Sequence, residues 1–304
     1  MTWTPYYRGD GEAREVTLAA PPPWRTFPPE AQHTQFQPPP GLTEAVNAAL
    51  HLRRPLLITG PAGFGKSTVI DQVAHELKLG DVLRWHVTSH STLRDALYRY
   101  DALARIHAQN TGDSTDDIGP FLELGPLGSA LLPTDRPRAL LIDEIDKSEL
   151  DLPSDLLNAL ERGEFEIPEL TRYHASTVAV RGWQSRYTHD IVDGVVRCTN
   201  FPFIVMTSNG ERDFPPAFLR RCVRFTMPAP TPTELTHILR AHLGDAADGA
   251  RDLVETFVTR VAGGDLLAID QLLNTVLVLS GDHAPTSDER ERLTSLLLRQ
   301  LSRA

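Results

Sequence analysis

The chain has 304 residues, of which 41% are hydrophobic and 23% charged, the proportions of an ordinary soluble protein. Forty acids against 30 Lys and Arg leave a net charge of −10, which argues against a general nucleic-acid-coating protein while leaving room for a local basic channel. The two cysteines, Cys198 and Cys222, lack metal spacing, no secretory signal opens the chain and no apolar run is long enough to span a bilayer, so a reduced, cytoplasmic protein with no membrane partner is expected.

Residues 1–40 hold nine of the 24 prolines. That density blocks helix and most strand pairing, and predicts an extended arm laid over the surface by Trp24 and Phe27, or else a free tail. From residue 41 the pattern turns helical, with Leu42, Val46, Ala49 and Leu50 on one side. PLLITG (55–60) is a continuous apolar run of the kind found in buried parallel strands. STVIDQVAHELKLG (67–80) follows as a helix, with Val69, Val73 and Leu77 on its apolar face and Gly80 as its stop.

Four more strand-like runs lie at 83–89, 138–145, 201–209 and 222–227, and their alternation with helical segments predicts a parallel sheet between helices. Two connections, about 93–137 and 163–200, are unusually long for a compact domain, and the second contains hairpin-like alternation. After residue 228 the pattern is helical. TPTE (231–234) and TSDE (286–289) read as capping boxes, the first before a stripe of Leu235, Ile238, Leu239 and His242, the second before Leu293, Leu296, Leu297 and Leu301. The organisation expected is an arm (1–40), an α/β domain (41–228) and a small helical domain (229–304).

Residues 60–68 read GPAGFGKST, which fits G-x-x-x-x-G-K-[ST], the phosphate-cradling loop of NTP-binding proteins. Gly60, Pro61, Ala62, Gly63, Phe64, Gly65, Lys66, Ser67 and Thr68 form the candidate loop, whose backbone N–H groups and following helix N-terminus favour phosphate. Lys66 would reach the β and γ phosphates, and Ser67 would hold Mg²⁺. LLIDEID (140–146) ends an apolar strand in acids, placing Asp143 to anchor Mg²⁺ and Glu144 to orient the attacking water. Asn209, just after another buried strand, could touch that water or the γ phosphate, because an amide donates or accepts without adding charge. Arg220 and Arg221 end a short apparent helix, either as a solvated basic helix end or as an arginine finger offered to a neighbouring subunit. The eleven histidines include no pair with ligand spacing and carboxylate support.

In this order, the phosphate loop, the IDEID strand, the S-N strand end, R-R-C and a helical tail resemble the AAA+ ATPases over roughly residues 41–304. GPLGSALL before LLIDEIDKSELDLPSDLLNALERGEFEIPEL, followed by TSNGERDFPPAFLRRCVRF, resembles the MoxR-type branch. The resemblance implies a five-stranded parallel sheet of order 5-1-4-3-2 with a C-terminal all-helical lid, and ATP or ADP with Mg²⁺ bound between subunits of a homo-oligomeric, usually hexameric, ring. It implies Walker A roles for Lys66 and Ser67, Walker B roles for Asp143 and Glu144, sensor 1 for Asn209, and a finger at Arg221 with Arg220 as the alternative. The long connections would be the branch's helix-2 insert and pre-sensor hairpin, which grip or push a protein client, and relatives commonly work with a von Willebrand factor A-domain partner. Look-alikes also occur in bacterial conflict systems. The chain departs from the pattern at the sensor-2 arginine, since GGDLLAIDQLLN (263–274) has none and Arg260 lies a few residues earlier. A remodelling ATPase is the expected function, with a nucleotide-dependent switch or scaffold as the rival. A DNA motor or clamp loader is disfavoured by the acidic balance.

Overall fold

The computed structural model describes residues 6–26, 36–111, 116–280 and 285–301, which fall into two compact units. One comprises Pro38–Gly60 and Lys66–Thr226. The other comprises the described parts of 1–37 and 227–304 together with Pro61–Gly65.

In the first unit, α1 (Leu42–Leu52) buries Leu42, Val46 and Ala49 on a single stripe. Next come β1 (Leu56–Thr59), α2 (Thr68–Glu76) and β2 (Leu83–His86). The first long connection holds α3 (Leu93–Leu97), β3 (Tyr98–Tyr100), α4 (Ala102–Thr111), β4 (Leu122–Leu124) and α5 (Pro126–Ala130). After β5 (Ala139–Asp143) and α6 (Leu152–Arg162), the second connection adds β6 (Glu164–Glu166), α7 (Pro168–Thr171), β7 (Thr177–Arg181), β8 (Thr188–Val192) and β9 (Val195–Arg197). The unit closes with β10 (Phe203–Ser208), α8 (Pro216–Leu219) and β11 (Val223–Thr226).

Five strands form a wholly parallel sheet in the order β11-β1-β10-β5-β2, which is 5-1-4-3-2 when they are counted among themselves, as expected. The register sets Thr59 beside Ser208 and His86 beside Asp143, so the C-terminal ends of β1, β2, β5 and β10 share one edge. Every residue of β10 is buried, as a central parallel strand requires.

The two long connections do not fold separately. Their strands build one second sheet, ordered β3-β4-β7-β8-β9-β6, and a single parallel bridge, Glu123 opposite Arg181, joins the first connection to the second. Arg181 and Glu123 also pair at 3.4 Å. The packing of α5 on α3 is close enough to need glycine. An added Cβ at Gly128 would overlap the Leu97 carbonyl oxygen, and one at Gly125 the carbonyls of Asp95 and Ala96. Leu124, Leu127, Leu131, Val180 and Phe218 are fully buried in the core that the two sheets share, each side chain contributing about 1.5–3 kcal/mol by leaving water.

In the second unit, α9 (Pro232–Leu243), α10 (Arg251–Ala262), α11 (Ile269–Ser280) and α12 (Ser287–Leu297) make an all-helical C-terminal array. Both capping boxes form: Thr231 and Glu234 close the start of α9, and Thr286 and Glu289 that of α12. Trp24 of the arm stands edge-on to His242, with ring centroids 6.4 Å apart, whereas Phe27 lies outside the described residues. Before Pro23–Arg25 the described arm has no helix or strand and is exposed, Tyr7 by 87%.

Two sequence expectations are corrected. The helix expected over 67–80 stops at Glu76 because Lys78 turns left-handed (φ 54°), which leaves Leu77 exposed. The leucine stripe of the last helix is not buried: α12 buries none of its residues, Leu301 falls beyond it, and Leu298, just past its end, is the leucine that enters the core. Among the described residues no helix is long and apolar enough to cross a membrane.

Candidate active site

β1 delivers the chain into the glycine loop, where Gly63 (φ 75°) and Gly65 (φ 76°) take the left-handed conformation that lets successive backbone N–H groups turn inward. A side chain at Gly63 would also strike Ala268 and Asp270. Lys66 is almost completely buried, and its Nζ donates to the Gly60 carbonyl at 2.7 Å and to Asn209 Oδ1 at 2.8 Å. Burial pushes its pKa below the ordinary lysine value, and the negative charges of Asp146, Asp143 and Glu144 partly restore it.

The strand ends bring the acids to the lysine. Ser67 Oγ donates to Asp143 Oδ1 at 2.7 Å, and Thr207 Oγ1 donates to the same oxygen at 2.6 Å. Glu144 directly follows β5 in a left-handed conformation (φ 59°, ψ 47°), which costs a non-glycine residue about 1–3 kcal/mol. Its backbone N–H donates to Thr207 Oγ1 at 2.9 Å. Both carboxylate oxygens of Glu144 are engaged, Oε1 by Asn209 Nδ2 at 3.3 Å and Oε2 by Lys147 Nζ at 2.7 Å. That bond to Glu144 is the main reason the Lys147 ammonium is held above its ordinary range. Asp146 is buried, and its Oδ2 accepts from the backbone N–H groups of Asn209 (2.9 Å) and Glu211 (3.1 Å), which pins the turn after β10. Asn209 is thereby aimed between Lys66 and Glu144.

A cavity of about 520 Å³ opens beside these groups, lined by His86, Thr88, Ser89, Asp146, Lys147 and Glu211 among others. His86 Nε2 stands 3.4 Å from Glu144 Oε2. A larger cavity, about 600 Å³, lies in the insert sheet and holds none of the predicted site residues.

The structure therefore gathers Gly60, Lys66, Ser67, Asp143, Glu144 and Asn209 at one sheet edge, with Pro61, Ala62, Gly63, Phe64 and Gly65 in the loop between and Thr68 opening α2. It does not bring in Arg220 or Arg221. Arg221 is tied to Glu161 of α6 and to the Ala217 carbonyl, while Arg220 is exposed with no side-chain partner among the described residues. Arg260 is committed to Asp265 (2.7 Å) and the Leu298 carbonyl (2.6 Å) within its own unit. Sequence reasoning missed Thr207, Asp146, Lys147 and His86. A hydroxyl inside an otherwise apolar buried strand was the available signal for Thr207, since it must find partners there.

This arrangement coincides with a match over residues 55–222 to the family described as AAA domain (dynein-related subfamily). The chain belongs to the AAA family. No curated protein matches it. Among solved structures, a RuvB variant of Thermotoga maritima aligns at 12% identity over 88% of this chain and 68% of that one, with a TM-score of 0.40. AAA ATPases generally use ATP or ADP with Mg²⁺ and often form oligomeric rings. The chemistry of this AAA domain's donors suits such a ligand: a buried ammonium at Lys66 and the hard-oxygen pair of Ser67 and Asp143.

Proposed function

We propose that this AAA domain hydrolyses ATP and uses the energy, as part of a homo-oligomeric ring, to remodel a protein partner. The observation that carries the reading is the contact line Lys66–Asn209–Glu144, which sets a phosphate-seeking cation, an orienting amide and a base within one hydrogen-bonded row. Lys66 would exchange its neutral carbonyl partners for phosphate oxygens, a stronger charge-assisted bond. Ser67 and Asp143 would hold Mg²⁺, which when bound neutralises charge on the phosphates. Glu144 would take the proton of the attacking water, and Asn209 would hold that water in line. One of Arg220 and Arg221 would complete a neighbour's site. Among the described residues the Arg220 side chain has no partner, whereas Arg221 must first leave Glu161.

The finer reading is a MoxR-like ring, hexameric and cytoplasmic, with residues 1–40 as arm, 41–228 as motor and 229–304 as lid. A von Willebrand factor A-domain protein would be its partner, and a bacterial conflict system its setting. The insert sheet favours a protein client, since it gives the motor a rigid second surface built from both long connections.

A switch with little turnover is the second reading. Lys147 and Asn209 occupy both oxygens of Glu144, and Arg260 is committed to Asp265, so base and lid arginine alike are held in other contacts. Mg²⁺-dependent phosphate release by the purified protein, abolished in Glu144→Gln, supports the hydrolase. Tight ATP binding without release at any concentration supports the switch, and failure to bind ATP overturns both.

A further inference from the structure

We propose that Thr207 is a positioning residue for both acids of the site, its single hydroxyl fixing the Asp143 carboxylate and the Glu144 backbone together. The inference rests on the hydrolase reading above.

A threonine hydroxyl has one proton to give and lone pairs to receive with. Here the proton goes to Asp143 Oδ1 at 2.6 Å, and a lone pair receives the Glu144 N–H at 2.9 Å. Thr207 can hold both because it is itself held. It is 1% exposed, lies in the fully buried β10, and is paired in register with Ile58 of β1. β-branching leaves its side chain few rotamers in which to wander.

The two bonds differ in what depends on them. Asp143 Oδ1 also receives Ser67 Oγ, so its carboxylate stays anchored if Thr207 is lost. The Glu144 carboxylate is also held by Asn209 and Lys147, but its backbone N–H relies on Thr207. Its left-handed backbone is unfavourable for a residue with a Cβ; the carbonyls on either side are held by the Val87 and Lys147 N–H groups, each at 3.0 Å, and the Glu144 N–H between them is held by Thr207. With the N–H released, the peptide is free to rotate about its remaining contacts, and the long 3.3 Å bond from Asn209 to the carboxylate is the first to be lost. The loss should therefore fall on the chemical step more than on nucleotide affinity.

Thr207→Val and Thr207→Ser separate this role from packing. Valine keeps the shape and removes the hydroxyl, whereas serine keeps the hydroxyl and removes a methyl. A packing role makes serine the worse variant, and a positioning role makes valine the worse. For Thr207→Val we expect turnover to fall by about tenfold or more, with the affinity for a fluorescent ATP analogue kept within about twofold, and Thr207→Ser to restore most of the rate. Wild-type turnover in Thr207→Val, or a greater loss in Thr207→Ser, overturns the proposal.

Amide exchange at Glu144 in the nucleotide-free protein tests the clamp without any hydrolysis. Protection in the wild type and Thr207→Ser that vanishes in Thr207→Val, measured well below the thermal midpoint of each protein and with the amides of β10 still protected, supports it. Equal exchange in all three proteins overturns it. Should the wild type prove unable to hydrolyse ATP, the hydrolase reading falls, and the clamp is judged on exchange alone.

Discussion

Lys66 and Asn209, 143 residues apart in the chain, meet in a 2.8 Å hydrogen bond from Nζ to Oδ1. The contact exists because β1 and β10 are neighbours in the sheet, with Thr59 paired to Ser208, so that Asn209 follows β10 beside the end of β1. It places the candidate phosphate ligand and the candidate water-orienting group in direct contact.

Replacing Lys66 should therefore cost affinity first. A charge-assisted hydrogen bond contributes about 1.5–3 kcal/mol, so Lys66→Ala should weaken ATP binding by roughly 10- to 150-fold. Titration with a fluorescent ATP analogue measures it, and an affinity within about threefold of wild type would place the phosphates elsewhere.

Glu144→Gln should act on the opposite side. Glutamine keeps an oxygen to receive a hydrogen bond but cannot take a proton, so binding should persist while turnover drops by roughly 10²–10⁴-fold. Phosphate release per subunit under saturating ATP is the measurement.

The contact of α5 with α3 predicts a stability effect with no residue of the site involved. Gly128→Ala drives a methyl into the Leu97 carbonyl, and neither backbone can yield without disturbing α3 or α5. A destabilisation of about 1–3 kcal/mol is expected, visible as a thermal midpoint lowered by several degrees. Gly80→Ala, where an added Cβ meets nothing, is no such overlap, although its positive φ brings some strain of its own.

Burial pushes the Cys222 thiol from the ordinary 9.0 up to about 12. The folded protein thus keeps a proton that the unfolded chain releases, and this contribution to stability is complete below pH 9.0 and lost as pH rises towards about 12. Cys222→Val should flatten the loss of stability across that window, as followed by urea unfolding at pH 8 and pH 10. An unchanged slope would assign the loss to other groups.

Much of the site is legible in the sequence because each of its parts marks the end of a buried strand. Gly60, Asp143 and Asn209 are where apolar runs give way to glycine or polar groups, and in a parallel sheet such ends share an edge. The β order follows from the family resemblance rather than from periodicity. What stays hidden is non-local. The bridge of Glu123 to Arg181 unites two connections that look independent, since pairing between distant short strands leaves no periodic trace. The pairing of Arg221 with Glu161 is likewise a tertiary event between α6 and the end of α8. Leu77 and the α12 leucines mislead because helical spacing marks an apolar stripe without saying whether anything packs on it.

The central claim, a motor whose site is completed by a neighbouring copy, is tested most directly by ATP turnover per subunit against protein concentration, with Arg220→Ala and Arg221→Ala alongside. The expected rate climbs with concentration and falls by about 10³-fold or more in one of the two variants, with ATP still bound. A measurable rate that is flat with concentration and untouched by both substitutions would contradict it.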